Sequence, residues 1–163
     1  MIHEVTGDIL LSKAQVIGHG VAPNDHFEHG LALALREKWP QMVKDYRHYA
    51  NQTHPKPGEI WAWGGFGVRI VNLLTQEGSF DHGGKPGHAS LANVRHCLKR
   101  LRHWIETEKV SSLSLPKLGT GVGGLDWGQV RPIVEEYLGE LSIPVFVYTT
   151  YHPGQQAAEK GVK

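Results

Sequence analysis

Apolar positions fall in short blocks separated by glycine and proline, and the spacing inside each block predicts its structure. Over 90–108, Leu91, Val94, Leu98, Leu101 and Ile105 recur at intervals of three and four. That spacing lays one apolar stripe along a helix. Segments 30–39 and 40–50 also read as helices. Pro40 stops the first and opens the second, because the N–H that proline lacks is not needed in a first turn. A fourth helix is expected over 126–138. Short apolar runs at 2–6, 15–19, 58–63, 68–75, 112–115 and 143–149 read as strands. Gly64, Gly65 and Gly67 turn the third strand into the fourth. The second half alternates strand and helix, and its strands are apolar along most of their length. The expected fold class is therefore layered α/β, with a mostly parallel sheet covered on both faces.

No internal repeat or linker interrupts this pattern. The 163 residues, 40% of them hydrophobic, suffice for one domain with a core. The domain is expected to span 1–152. The polar tail 153–163 offers one valine to bury and is expected to fray. Lysine and arginine (17) nearly balance aspartate and glutamate (16), a net charge of +1. This excludes a protein that grips nucleic acid by bulk charge, though not one with a local basic patch. A single cysteine, Cys97, excludes an intramolecular disulfide framework and a multi-cysteine zinc site. Glu4 and Asp8 interrupt the first apolar stretch, so no signal peptide is read there. No stretch approaches the roughly 18 apolar residues of a membrane span. A cytoplasmic location is expected. The enriched types are glycine (20) and histidine (11).

In layered α/β folds ligands sit outside the carboxyl ends of the strands, so the loops after strands are the places to search. The most informative is 112–127, SLSLPKLGTGVGGLDW. It runs from a strand through Gly119, Thr120, Gly121, Val122, Gly123 and Gly124 to a helix that starts near Asp126. Glycines let a ligand reach backbone N–H groups, and a helix start adds unpaired donors, so the segment reads as a phosphate or pyrophosphate site. It lacks the Gly-Lys-Ser/Thr ending of a P-loop. Gly119, Gly121 and Gly124 match G-x-G-x-x-G, but no acidic residue ends the next strand, which speaks against a dinucleotide fingerprint.

Asp8, in the TGDI segment 6–9, either caps a turn or accepts from an exocyclic amine such as that of adenine. The loop HGVAPNDHFEHG (19–30) holds three histidines, Asp25 and Glu28. His26 and His29 form H-x-x-H, but three or four ligands in fixed geometry are not evident, and no metal is expected. His19 ends an apolar strand and is either a satisfied structural histidine or a general acid or base. Gln76 follows another strand, and Ser79, Phe80 and Lys85 in the next loop either flank a ligand or belong to an ordinary exposed loop. The basic helix positions Arg95, Lys99, Arg100, Arg102 and His103 read as a solvated face or a phosphate-backbone contact.

Three of these segments, in this order, resemble the macrodomain family. They are Gly7-Asp8-Ile9-Leu10, the loop and helix start over 19–32, and the glycine loop from Leu115-Pro116 through Gly124-Leu125-Asp126-Trp127. The similarity covers about residues 2–150 and looks closest to the branch of terminal ADP-ribose glycohydrolase, ADP-ribose 1″-phosphate phosphatase and the DNA ADP-ribosyl glycohydrolase antitoxins. It implies a three-layer α/β/α fold with a mixed sheet and an ADP-ribose cleft. By resemblance, Asp8 and Ile9 would hold the adenine and the 119–124 backbone a phosphate. Phe27, Glu28, His29 and Gly30 would close over the diphosphate. His19, with Asp25 or Gln76 assisting, would activate water. The implied activity is hydrolysis of an ADP-ribosyl linkage on protein or DNA, or of ADP-ribose 1″-phosphate. The alternative is a non-catalytic reader. Partners are then ADP-ribose and ADP-ribosylated substrates, nucleic acid among them, with no cofactor and no membrane; a monomer is expected. Ala22 stands where the family pattern has asparagine, Glu28-His29-Gly30 replaces a glycine run, and Gln76 and Gly123 replace the lysine and aspartate of the covalent branch.

Overall fold

The structure, a computed structural model, describes residues 1–65, 67–78 and 86–162. Six strands form one sheet: β1 (Ile2–Gly7), β2 (Val16–Gly20), β3 (Ile60–Gly65), β4 (Val68–Leu73), β5 (Leu113–Pro116) and β6 (Val145–Tyr151), in the order β1-β6-β5-β2-β4-β3. Every neighbouring pair is parallel except β3 with β4. The connection from Gly65 to Val68 is too short for a crossover and can only return the chain antiparallel. The helices are α1 (Gly30–Lys38), α2 (Pro40–Thr53), α3 (Leu91–Glu108) and α4 (Trp127–Leu138). One 3-10 turn, Ile9–Leu11, follows β1.

The helices divide between the two faces as strand alternation dictates. Val71 and Leu73 of β4, Leu113 and Leu115 of β5, and Val145 and Val147 of β6 pack under α3 and α4. Ile70 and Leu74 pack on the opposite face with Leu35 of α1 and Met42, Val43 and Tyr46 of α2. The α3 stripe is buried at Val94, Leu98, Leu101 and Ile105, with Cys97 beside them. Ser90 caps this helix by accepting from the Asn93 N–H at 3.0 Å. Burial pushes the Cys97 thiol up to about 12, so it is an inert core group and no nucleophile.

The tail departs from expectation. Residues 153–162 dock against the sheet face that carries α1. Ala157 is buried with Ile9, Ile17, Phe146 and Tyr148. The Glu159 carboxylate accepts from the Tyr148 hydroxyl (2.7 Å), the Lys13 N–H (2.8 Å) and the Ser12 and Ser114 hydroxyls (2.6 and 3.0 Å). The Asp8 N–H donates to the Gln155 carbonyl at 2.7 Å, and the Gly154 N–H donates back to Asp8 Oδ2 at 2.9 Å. Polar composition predicted fraying because it hides one carboxylate with a ready-made set of donors. Glu159→Ala is expected to lose about 2 kcal/mol, the scale of hydrogen bonds to a charged group. For a domain of this size that lowers Tm by about 4–8 °C. An unchanged melting curve would return the tail to the frayed state its composition suggests.

Candidate functional site

A cleft of about 430 Å³ lies at the carboxyl ends of the central parallel strands. From β2 the chain runs through α1 and α2 to the edge strand β3, returns as β4 beside β2, and then crosses through α3 to β5 on the other side of β2. The strand order therefore reverses around β2, which is where open α/β sheets hold ligands. His19 and Gly20 end β2, Gln76 follows β4, Pro116 through Gly123 follow β5, and Tyr148, Thr149 and Tyr151 close β6; all border the cleft. An adjoining slot of about 370 Å³ continues it past Ile9, Leu10, Leu31 and Ala34 to Tyr148 and Tyr151.

Two sets of backbone donors meet in the cleft. In the glycine loop, the N–H groups of Thr120, Gly124 and Leu125 bond back to Lys117, Gly121 and Gly119. Those of Gly121, Val122 and Gly123 have no acceptor among the described residues. The loop's tightness needs glycine at 123, where a Cβ would sit 2.5 Å from the Gly119 carbonyl oxygen. At Gly121 a Cβ would meet nothing within 4 Å, so that position opens onto the cleft. The second set is the start of α1: Gly30, Leu31 and Ala32 border the cleft, in the turn whose N–H groups have no helical partner. The sequence pointed to the start of α4 for this role. The structure brings α1 instead, and Asp126 and Gly124 lie outside the cleft lining. Gly124 packs against His88.

His19 sits at the floor, 1% exposed, with Nε2 2.6 Å from Asn72 Oδ1. Burial pushes its pKa down to about 4, and the Asn72 hydrogen bond and the Asp25 charge only partly oppose this. At neutral pH the ring is uncharged. Asp25 borders the cleft and holds its own loop: Oδ2 accepts from the Ala22 N–H (3.0 Å) and Oδ1 from the Phe27 N–H (2.8 Å). Asp25 is the one carboxylate among the described residues lining the cleft. Gln76 also borders it, but its amide donates to the Gly87 carbonyl at 2.9 Å and its backbone bridges to Ala89. Gln76 thus staples the segment after β4.

The other expected residues separate. Ile9 lines the slot, and His29, Gly30 and Gly119 through Gly123 line the cleft. Asp8 does what the turn-capping reading expected. Oδ1 accepts from Leu10 N–H (3.0 Å) and Oδ2 from Gly154 N–H, and its side chain lies outside both cleft and slot linings. Phe27 is fully buried with φ +59, its ring against Tyr46 and His19, so it anchors the loop from beneath. Glu28 is exposed and outside the lining. Ser79, Phe80 and Lys85 lie outside the described residues. Sequence reading missed Leu31, Ala32, Lys117, Tyr148 and Tyr151. The apolar run ending in tyrosines was the available signal for the last two.

Among the described residues no three histidines, cysteines or carboxylates gather as metal ligands, and no helix is long and apolar enough to cross a membrane. On α3, Arg95 pairs with Glu136, Arg102 with Glu106, and Arg100 donates to the Gly58 carbonyl. That face behaves as a solvated helix surface laced by ion pairs.

Known proteins share this architecture. The chain is 24% identical to a DNA ADP-ribosyl transferase–DNA ADP-ribosyl glycohydrolase fusion protein of Thermosipho africanus, over 88% of this chain and 40% of that one. It is 27% identical to the human ADP-ribose glycohydrolase OARD1, over 89% of each. The macrodomain of Thermus aquaticus DarG superposes with a TM-score of 0.79 at 26% identity, covering 91% of this chain and 98% of the other. The chain thus spans about two fifths of the bacterial fusion protein and nearly all of the human one. The Macro domain model matches residues 19–134. The match runs from the end of β2 into α4 and takes in most of the cleft lining, though not Tyr148, Thr149 and Tyr151 of β6; the chain belongs to the Macro domain family.

Proposed function

We propose that this chain binds ADP-ribose across the cleft and slot and hydrolyses the bond joining it to a modified macromolecule. The observation that carries the reading is the pair of N–H sets, at the start of α1 and in the glycine loop, bordering one cleft that continues into an apolar slot. Free N–H groups at a helix start and in a glycine loop suit a diphosphate. An apolar slot with two tyrosines suits a base. Two relatives carry ADP-ribosyl or ADP-ribose glycohydrolase names, which supports the same ligand and reaction class. Asp8 then acts by fixing the turn that carries Ile9 and Leu10, and Asp25 orients and deprotonates the attacking water. With Gln76 and Gly123 in place of lysine and aspartate, the route runs through water without a lysine adduct. ADP-ribosylated DNA is the first substrate to try, ADP-ribosylated protein and ADP-ribose 1″-phosphate the next.

The test is calorimetry with ADP-ribose, AMP and NAD, followed by a search for free ADP-ribose after incubation with each substrate. ADP-ribose is expected to bind best. Gly121→Trp should fold as the parent does and bind ADP-ribose roughly 100-fold more weakly, about 2.7 kcal/mol, because its Cβ meets nothing within 4 Å and its ring extends from a residue of the cleft lining. Equal binding of AMP and ADP-ribose, or normal affinity in Gly121→Trp, would place the ligand elsewhere. Binding without release from any substrate would make the chain a reader.

A further inference from the structure

His19 and Asn72 are register partners on the adjacent parallel strands β2 and β4; both are fully buried, and His19 borders the cleft. The orientation of the Asn72 amide follows from its neighbours. Its Nδ2 has two acceptors, the Trp61 carbonyl at 3.4 Å and the Met42 sulfur at 3.8 Å. Its Oδ1 is left to face the ring, and an amide oxygen can only accept. Nε2, 2.6 Å away, must therefore carry the hydrogen. A neutral imidazole has only one ring hydrogen, so Nδ1 carries a bare lone pair. Nδ1 has no partner among the described residues, and His19 contributes to the cleft lining. The ionisable group acting on the ring is the Asp25 carboxylate on the neighbouring loop. The ring of Phe27 covers it from the α2 side at 5.8 Å.

We propose that Asn72 is a positioning residue that locks His19 in its neutral, Nε2-protonated tautomer, so that Nδ1 is a standing hydrogen-bond acceptor for a ribose hydroxyl of the bound ligand. His19 then recognises the sugar and transfers no proton. The assignment rests on the ADP-ribose reading for the identity of the hydroxyl, but not for the tautomer. It makes an aglycone or deoxyribose ligand a poor occupant. A site built to hydrogen-bond a hydroxyl leaves a buried polar atom unpaired when the hydroxyl is missing.

The experiment is ring ¹⁵N spectroscopy of the whole chain with labelled histidine, without and with ADP-ribose. Without ligand at pH 7, His19 should show a protonated Nε2 and a bare Nδ1. An Nδ1-protonated ring, or an imidazolium, overturns the proposal. Saturating ADP-ribose should move the Nδ1 signal. An unmoved Nδ1, with ligand binding evident elsewhere in the cleft, also overturns it. If ADP-ribose does not bind at all, the functional proposal fails, and the hydroxyl half of this inference with it. The ligand-free spectrum still decides the tautomer.

Asn72→Asp sets a carboxylate against Nε2 and should make His19 titrate at higher pH than in the parent. Should that variant not fold, position 19 gives the same decision. His19→Phe should weaken ADP-ribose binding about three- to tenfold. His19→Gln supplies an amide N–H to Asn72 and an oxygen acceptor, and should recover most of the affinity and turnover. A turnover loss of ~10²–10⁴-fold in His19→Gln, with affinity intact, would mean proton transfer by the ring and would overturn the proposal.

Discussion

Asp25→Asn is expected to bind ADP-ribose within a few-fold of the parent and to turn over roughly 10²–10⁴ times more slowly, the usual range for losing a placed general base. Of the three residues expected to be catalytic, two have other tasks in the cleft. His19 is buried against Asn72 and is the residue proposed to meet the sugar, which leaves the water to another group. Gln76 has no proton-accepting nitrogen and spends its amide on Gly87. Asp25 remains as the carboxylate among the described lining residues. Each of its oxygens takes one backbone N–H, which fixes the group and leaves a second lone-pair direction on each for water. Asparagine keeps the shape and one acceptor but cannot take a proton. Because it also forfeits one loop hydrogen bond, affinity has to be measured beside turnover. If turnover survives, Asp25 is no base. If affinity falls as far as turnover, Asp25 only holds the loop.

Phe27→Ala is expected to destabilise the fold by about 3–5 kcal/mol, the range for deleting a buried aromatic side chain. For a domain of this length, that lowers Tm by roughly 6–20 °C. The ring lies edge-on to Tyr46 at 5.4 Å and tilted against His19 at 5.8 Å, inside the cluster that joins α1 and α2 to the sheet. Tyr46 in turn donates its hydroxyl to the Ala22 carbonyl at 2.9 Å. One ring thus ties the loop after β2 to α2 and to the cleft floor. Chemical denaturation should show the loss, and ADP-ribose affinity should fall with it because the loop carries the start of α1. A variant of parental stability would mean the pocket collapses around the missing ring at no cost, against the packing seen.

Phe27 also illustrates what sequence could and could not convey. An aromatic residue in a polar loop reads as a ligand contact. A positive φ there turns the ring inward, and no pattern of neighbours announces that. The α3 stripe, by contrast, was fully legible, because helical periodicity is a local property. The glycine loop after β5 was legible as a loop at a strand end, and Gly119 through Gly123 border the cleft, although Gly123 also serves the turn's own tightness. That the start of α1, and not that of α4, borders the cleft was not legible. Both begin after a strand, and only the strand order decides which one borders the cleft. Asp8 was ambiguous for a similar reason. Its capping partner Leu10 is two residues away, but Gly154 is 146 residues away, and no local reading connects the two.

The sheet order has a kinetic consequence. Part of the slot wall is Gly7 at the end of β1 with Ile9 and Leu10 after it, and part is Tyr148 and Tyr151 of β6, a strand that pairs in parallel with β1 from the far end of the chain. Contacts so distant in sequence are costly to close and slow to form. The glycine loop and the start of α1 are therefore expected to form before β1 and β6 close the slot between them. Ligand that binds only the finished site stabilises that last closure by mass action, about 2.7 kcal/mol at a hundredfold excess over Kd. The same small molecule that the cleft receives thus also holds together the two distant stretches of chain that shape the slot.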